Sequence, residues 1–298
     1  MLAEPMQHLF YNLYDLAIAP FADFLFMRRA LVSALALALG AAPLGVLLTL
    51  RRMSLFGEAL SHAILPGVAL GFMFFGLSAI AMTVGGLLAG MLVAAVSGLV
   101  SRATVLREDA SLAALYLVSL ALGVMLVSRR GTQLDLLHIL FGSALGVDAS
   151  GLTLVAGVAT VTVAALALLY RAFLLESFDP AYLQSASGRK AAVVQQGFLL
   201  LVVLNLVAGF QTLGTLMAVG IMMLPAVSAR LWHDTLPAQM LNAVAQAAVA
   251  SYVGLLLSYH LDTASGPTVI VCAGSLYALS LLCAPRGWLP SLRKTQFS

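Results

Sequence analysis

Long runs without a single charged side chain recur along this chain, separated by short loops that carry most of its arginines. A helix that crosses a bilayer needs about 20 consecutive apolar residues. Runs free of Asp, Glu, Lys and Arg cover 31–50, 59–101, 110–128, 149–170, 191–229, 235–261 and 263–285. Two of these, 59–101 and 191–229, are long enough for two helices each, so the pattern predicts about nine spans, within a range of eight to ten. The composition agrees. The chain is 62% hydrophobic and 9% charged, whereas about a quarter of a soluble domain is charged. That balance excludes a soluble enzyme, a disordered chain, a coiled coil and a disulfide scaffold. The expected fold class is all-α, a polytopic integral membrane protein.

Two stretches are harder to place. Residues 9–26 are apolar but include Asp15 and Asp23, which suits an interfacial helix better than a span. Residues 1–26 are therefore read as an N-terminal segment, and 27–298 as a single transmembrane domain. Residues 131–147 hold Asp135 and His138 and read as a short or re-entrant segment. The N-terminus MLAEPMQHLF has no basic region, so no cleavable signal peptide is expected. Cys272 and Cys283 lie in one apolar run. On a helix they would stand roughly 16 Å apart at 1.5 Å per residue, too far for a disulfide.

Orientation follows from Lys and Arg in the short loops. One set of alternate loops holds Arg51, Arg52, Arg102, Arg107, Arg171, Arg189, Lys190, Arg230, Arg286, Arg293 and Lys294. The other holds Arg28, Arg29, Arg129 and Arg130. The first, richer set is assigned to the cytoplasm.

Several chemistries are missing. Neither lysine, Lys190 or Lys294, completes the G-x-x-x-x-G-K-[ST] phosphate loop, so this chain is not itself a P-loop ATPase. None of Glu4, Glu58, Glu108 and Glu176 follows a histidine, which removes the H-E-x-x-H zinc-protease motif. Gly142-Ser143-Ala144 is compatible with an intramembrane serine protease, but Ser between small residues is common in helix packing.

Four stretches carry the polar residues that matter. In Gly57-Glu58-Ala59-Leu60-Ser61-His62-Ala63-Ile64-Leu65-Pro66-Gly67, Glu58 and His62 are four apart and share one helix face. A carboxylate and an imidazole so placed suit a borderline divalent metal. The alternative is that Glu58 caps a helix start and His62 satisfies a backbone group. Pro66 is expected to break the helix, while Gly67 and Gly71 offer a close-packing face. In the second stretch, from Glu176 to Arg189, Asp179 suits an N-cap, Pro180 the first helical turn and Gly188 a C-terminal stop. This describes a short cytoplasmic helix, marginal alone in water, that gains by docking on a partner or by lying at the interface. The third, 214–230, contains Pro225, predicting a kink or helix end, with Met217, Met222 and Met223 read as packing. The fourth, 258–267, puts His260 and Asp262 on the outer face, as a solvated turn or a place to receive a cation or docking protein.

Together these stretches resemble the membrane permease subunits of bacterial ABC importers for zinc, manganese or chelated iron. That family's G-D-A-L-S-H-A-x-L-P-G-V-A block is similar to residues 57–69. Arg107-Glu108-Asp109-Ala110 resembles its acidic loop, and Leu140-Phe141-Gly142-Ser143 its L-F-G-S element. Phe178-Asp179-Pro180 with Tyr182, Ala186 and Gly188 looks like its coupling helix. Residues 214–230 and 258–266 are similar to two further blocks, all in family order. The resemblance implies a homodimeric permease of the bacterial cytoplasmic membrane that binds no cofactor of its own. Cytosolic ATP-binding cassette subunits would dock on 176–189 through Asp179, Pro180, Tyr182 and Gly188, and an extracytoplasmic metal-binding protein would deliver the cargo. It places Glu58 and His62 on the metal path, zinc or manganese first and iron also possible, with ATP on the partner subunit. Glu58 departs from the family's usual Asp by one methylene. The alternatives are a permease for an iron chelate or vitamin, an intramembrane enzyme, and an autonomous channel or secondary transporter.

Overall fold

The computed structural model describes residues 14, 16–53, 55–76, 78–106, 108–128, 146–178 and 189–288. Among the described residues the chain is helical, with no strand. A short helix α1 (Ala19–Asp23) precedes α2 (Leu25–Leu50). Then come α3 (Phe56–Ala63) and α4 (Leu65–Phe75), two pieces of one span, and α5 (Ala79–Ala103), α6 (Glu108–Ser128) and α7 (Ala149–Phe178). The remaining four are α8 (Arg189–Leu213), α9 (Thr215–Trp232), α10 (Leu236–Leu261) and α11 (Ser265–Cys283). Eight spans meet the length and hydropathy of a membrane crossing, and α6 adds a shorter apolar stretch, Ala110–Leu126. The chain is a multi-pass membrane protein. The predicted re-entrant stretch falls mostly at 129–145 and the predicted coupling helix at 179–188, both outside the described residues.

Helix α2 is the centre. It touches α7, α8, α9 and α10, and from Leu37 to Thr49 nearly every residue is buried. Lipid tails are as apolar as leucine, so small residues and polar contacts must hold the helices together. Gly45 lies directly against the backbone carbonyl of Met222 on α9. Gly40 faces Asn205 on α8, whose amide donates to Thr162 on α7 at 2.8 Å and to the Leu201 carbonyl at 2.9 Å. On the far side, Ser228 of α9 donates to Ser280 of α11 at 2.7 Å, and Trp232 Nε1 donates to the same hydroxyl at 2.9 Å.

The expected Gly67/Gly71 face is present. It seats the hairpin of α4 and α5, where Gly67 and Gly85 meet backbone to backbone and Gly71 faces the Ala81 carbonyl. Pro225 sits inside α9 without ending it. Both cysteines are free thiols.

The two ends of the bundle differ as the charge pattern requires. At one end, Arg51 pairs with Glu176, Arg286 pairs with Asp234, and Arg230 donates to the Thr49 carbonyl at 3.4 Å. This is the arginine-rich end, the one that the loop charges assign to the cytoplasm. At the other, the chain before α2 folds back on α10. Tyr252 donates to the Ala17 carbonyl at 2.8 Å and stacks on Phe21 at 5.1 Å between ring centroids.

Helix α7 starts at the outer end with Asp148 as its cap, accepting from the Gly151 N–H at 2.7 Å and the Ser150 hydroxyl at 2.6 Å. These bonds, the Ser150 hydroxyl foremost, hold its carboxyl below the ordinary carboxylate value. A lowered pKa stabilises the fold above the unfolded value of about 3.9, and that gain is lost as pH falls through the folded value. Asp148→Ala is expected to lower stability by about 0.5–1 kcal/mol at neutral pH. The gap from the parent closes below about pH 4, which thermal melts at the two pH values would measure. Gly67→Val drives a Cβ into the Gly85 backbone, which has nowhere to yield. A loss of about 1–3 kcal/mol is expected, while Gly157→Ala on α7, which meets open space, leaves the melting temperature unchanged.

Candidate functional site

The span built from α3 and α4 is broken where the sequence predicts. Pro66 has no N–H and suits only the first turn of a helix, and it occupies that place in α4. The break shifts the hydrogen bonding. The Gly67 N–H donates to the Ile64 carbonyl at 3.1 Å rather than one residue back. That frees the Ala63 carbonyl, and Ser119 of α6 donates to it at 2.9 Å. Gly123, one turn further along α6, faces Leu65 and the Pro66 nitrogen, where a Cβ would come within 3.0 Å.

Glu58 and His62 lie on α3, just before this break. Ser61, between them, donates its hydroxyl to the Glu58 carbonyl at 2.7 Å. Glu58 is exposed on the surface of the single chain and His62 is half-buried. The N-cap of α3 is Leu55, with no side-chain cap, so Glu58 does not fill that role. Among the described residues neither side chain takes a hydrogen bond or an ion pair, and His62 touches the ring of Tyr116 at 6.2 Å between centroids. Tyr116 and Ser119 thus brace the helix from one side. Neither stands out in the apolar run of α6, because a lone Tyr or Ser among Leu and Ala has no spacing signal.

The depth of the pair follows from its neighbours. Ile64, two residues beyond His62, packs on Gly90 and Gly86 of α5. Gly90 lies thirteen residues from the cytoplasmic end of α5 at Ala103, about 20 Å along the axis. Gly57 meets Met222, ten residues from the end of α9 at Trp232, or about 15 Å. Glu58 thus stands in the first turn of the 56–75 span and His62 one turn deeper. A carboxylate there is costly and faces protein or a water-filled path rather than lipid. Beyond His62 the same side of the span opens on an apolar groove of about 950 Å³, lined by Pro66, Leu70, Phe74, Leu88, Val118 and Leu122 among others.

Among the described residues no three His, Cys, Asp or Glu side chains converge. Met217 and Met222 are fully buried and Met223 nearly so, which makes them packing residues, with Met222 seated on Gly57. Asp179, Pro180, Tyr182 and Gly188 lie outside the described residues. Their flanks are fixed: α7 ends at Phe178 and α8 begins at Arg189. On the outer face, His260 and Asp262 are both exposed, as expected of a solvated turn. His260 hydrogen bonds the Leu16 carbonyl at 2.8 Å, and Asp262 adopts a left-handed turn at φ 51° that ends α10.

Known proteins are similar to this chain in sequence and in fold. The manganese import system permease protein ScaB of Streptococcus parasanguinis is 34% identical over 266 residues, covering 89% of this chain and 92% of the relative. The manganese transport system membrane protein MntC of Listeria monocytogenes is 31% identical over 271 residues, covering 91% and 95%. The chelated iron transport system membrane protein YfeD of Yersinia pestis is 30% identical over 270 residues, covering 91% and 89%. Among solved structures, PsaBC from Streptococcus pneumoniae in complex with Fab superimposes with a TM-score of 0.81 at 29% identity, covering 93% of this chain and 98% of that one. The pattern of the ABC 3 transport family matches residues 23–284, from the start of α2 to the end of α11, and the chain belongs to that family.

Proposed function

We propose that the chain is the membrane permease of an ATP-driven importer that carries a divalent transition metal, manganese foremost, into the cytoplasm. One observation carries the site: an acid and an imidazole, free of hydrogen-bond partners among the described residues, share one face of a helix inside the bilayer. Two ligands from one chain are half of a tetrahedral set, and a second copy facing the first would supply the other two. Carboxylate oxygen and imidazole hold manganese or zinc without the tight grip of thiolates. That suits cargo, which must leave as readily as it arrives. The groove beyond His62 offers no carboxylate, so the pair is the first charged stop along that side.

In this reading a binding protein brings the metal to the outer face, and the ion passes between two copies of the chain. A separate cytosolic ATP-binding cassette subunit docks on 179–188 and hydrolyses ATP, and the permease makes and breaks no bond. Relatives named for manganese import support manganese first, and the chelated-iron relative is the reason to assay iron alongside.

The test is metal uptake in cells lacking the protein and given it back in altered form. Manganese uptake is expected to fall in the deletion strain. His62→Ala should fail to restore it by at least about tenfold, at equal protein level, and Glu58→Gln should behave alike. Glu58→Asp, which keeps the charge, should restore most of it. Full uptake through His62→Ala would remove the site while leaving the permease reading in place. Asp179→Ala combined with Tyr182→Ala is expected to abolish uptake and co-purification of the ATPase subunit. Undiminished flux in that variant would favour an autonomous channel.

A further inference from the structure

The cytoplasmic end of α2 holds an ion pair that the transport path does not use. Arg51, the first residue after α2, pairs with Glu176 near the end of α7, and both side chains are nearly buried, at 7% and 5% exposure. The same guanidinium donates through Nε to the Ser177 hydroxyl at 3.1 Å. It also lies over the ring of Phe198 on α8, 3.8 Å from the centroid. Phe198 meets Phe173 of α7 edge-on at 5.8 Å, and Ser177 donates onward to the Phe173 carbonyl at 2.7 Å.

The place of these residues in the chain matters more than their number. Glu176 and Ser177 stand just before the 179–188 segment, and Phe198 stands after it. One side chain therefore grips both flanks of that segment. From Arg51 the chain runs directly to the span that carries Glu58 and His62. Arg52 takes a left-handed conformation at φ 59°, a position where a non-glycine residue is held by its surroundings. Four residues later α3 begins. A buried ion pair is a poor source of stability, because desolvation offsets most of the attraction. It is a good source of fixed geometry, since a planar guanidinium satisfies carboxylate, hydroxyl and ring in one orientation only.

We propose that Arg51 is a positioning residue that carries displacement of the 179–188 segment to the helix bearing Glu58 and His62. When the ATPase subunit moves that segment, the α7 and α8 ends shift. The guanidinium clamp passes the shift to the α2–α3 turn, which sets the tilt of α3. This inference rests on the reading of 179–188 as the ATPase docking segment.

The test uses the whole transporter, permease with its ATPase subunit, in proteoliposomes with loaded binding protein, recording manganese uptake and ATP hydrolysis together. Arg51→Met with Glu176→Leu removes both charges and keeps the buried volume, so no lone charge is left to unfold the protein. The double variant is expected to keep its melting temperature, its ATPase partner and its hydrolysis rate, while uptake per ATP falls about tenfold. Arg51→Lys keeps the charge and gives up the planar fork, and its uptake per ATP is expected to fall about threefold. It serves also if the double variant does not fold. A parental ratio in either folded variant overturns the proposal, because the pair is then packing alone. Loss of the ATPase subunit from the double variant also overturns it, because the pair then serves assembly. Absence of ATP-driven uptake in the parent complex sinks the permease reading, and this one with it, whatever the variants do.

Discussion

A backbone carbonyl or N–H left unpaired in hydrocarbon costs several kcal/mol, and the shape of this protein follows from how its chain meets that demand. Most of it complies with unbroken helices. The exception is the span of α3 and α4, where Pro66 withdraws an N–H in mid-bilayer and the Gly67 N–H turns to Ile64. The orphaned Ala63 carbonyl is taken by Ser119 from the neighbouring helix. A broken helix needs a neighbour close enough to mend it, and closeness needs small residues. Gly123 on α6 and Gly67, Gly71 and Gly85 in the hairpin provide it. The proposed metal ligands sit directly below this repaired break.

The same scarcity of polar groups makes each of them informative. Asn205, Thr162, Ser228 and Ser280 hold helices together because nothing else in lipid does so with direction. Asp148 caps a helix and His260 pins the N-terminal segment. Glu58 and His62 have no such duty among the described residues. A carboxylate within a membrane span is costly, which is why this pair is the one we propose for the metal.

Much of the architecture was legible in the residues. Charge-free runs located every long helix, because burying charge in lipid is prohibitive. The break at Ile64 followed from Pro66. Arginine bias assigned the two ends, and Arg51, Arg230 and Arg286 do cluster at one of them. Pro225 was less legible. Proline permits either a kink or an end, and burial of α9 on α2 carries the helix straight through it. The solvated turn at His260 was legible, but not its partner, since the Leu16 carbonyl that it bonds lies some 240 residues away in the chain.

The amino-acid sequence by itself determined the membrane-spanning character of the chain, the break beside Pro66 and the i to i+4 placement of Glu58 and His62. These are local consequences of hydropathy, charge and proline chemistry, which act within a turn or two of the chain. Only the tertiary structure decided the rest. It made α2 the buried centre, set Tyr116 beside His62 and Ser119 on the Ala63 carbonyl, and closed Arg51 on Glu176 and Phe198. Those contacts join residues dozens to more than a hundred positions apart. They exist only because small residues let particular helix faces approach, and no periodicity in the chain names the partner of a face.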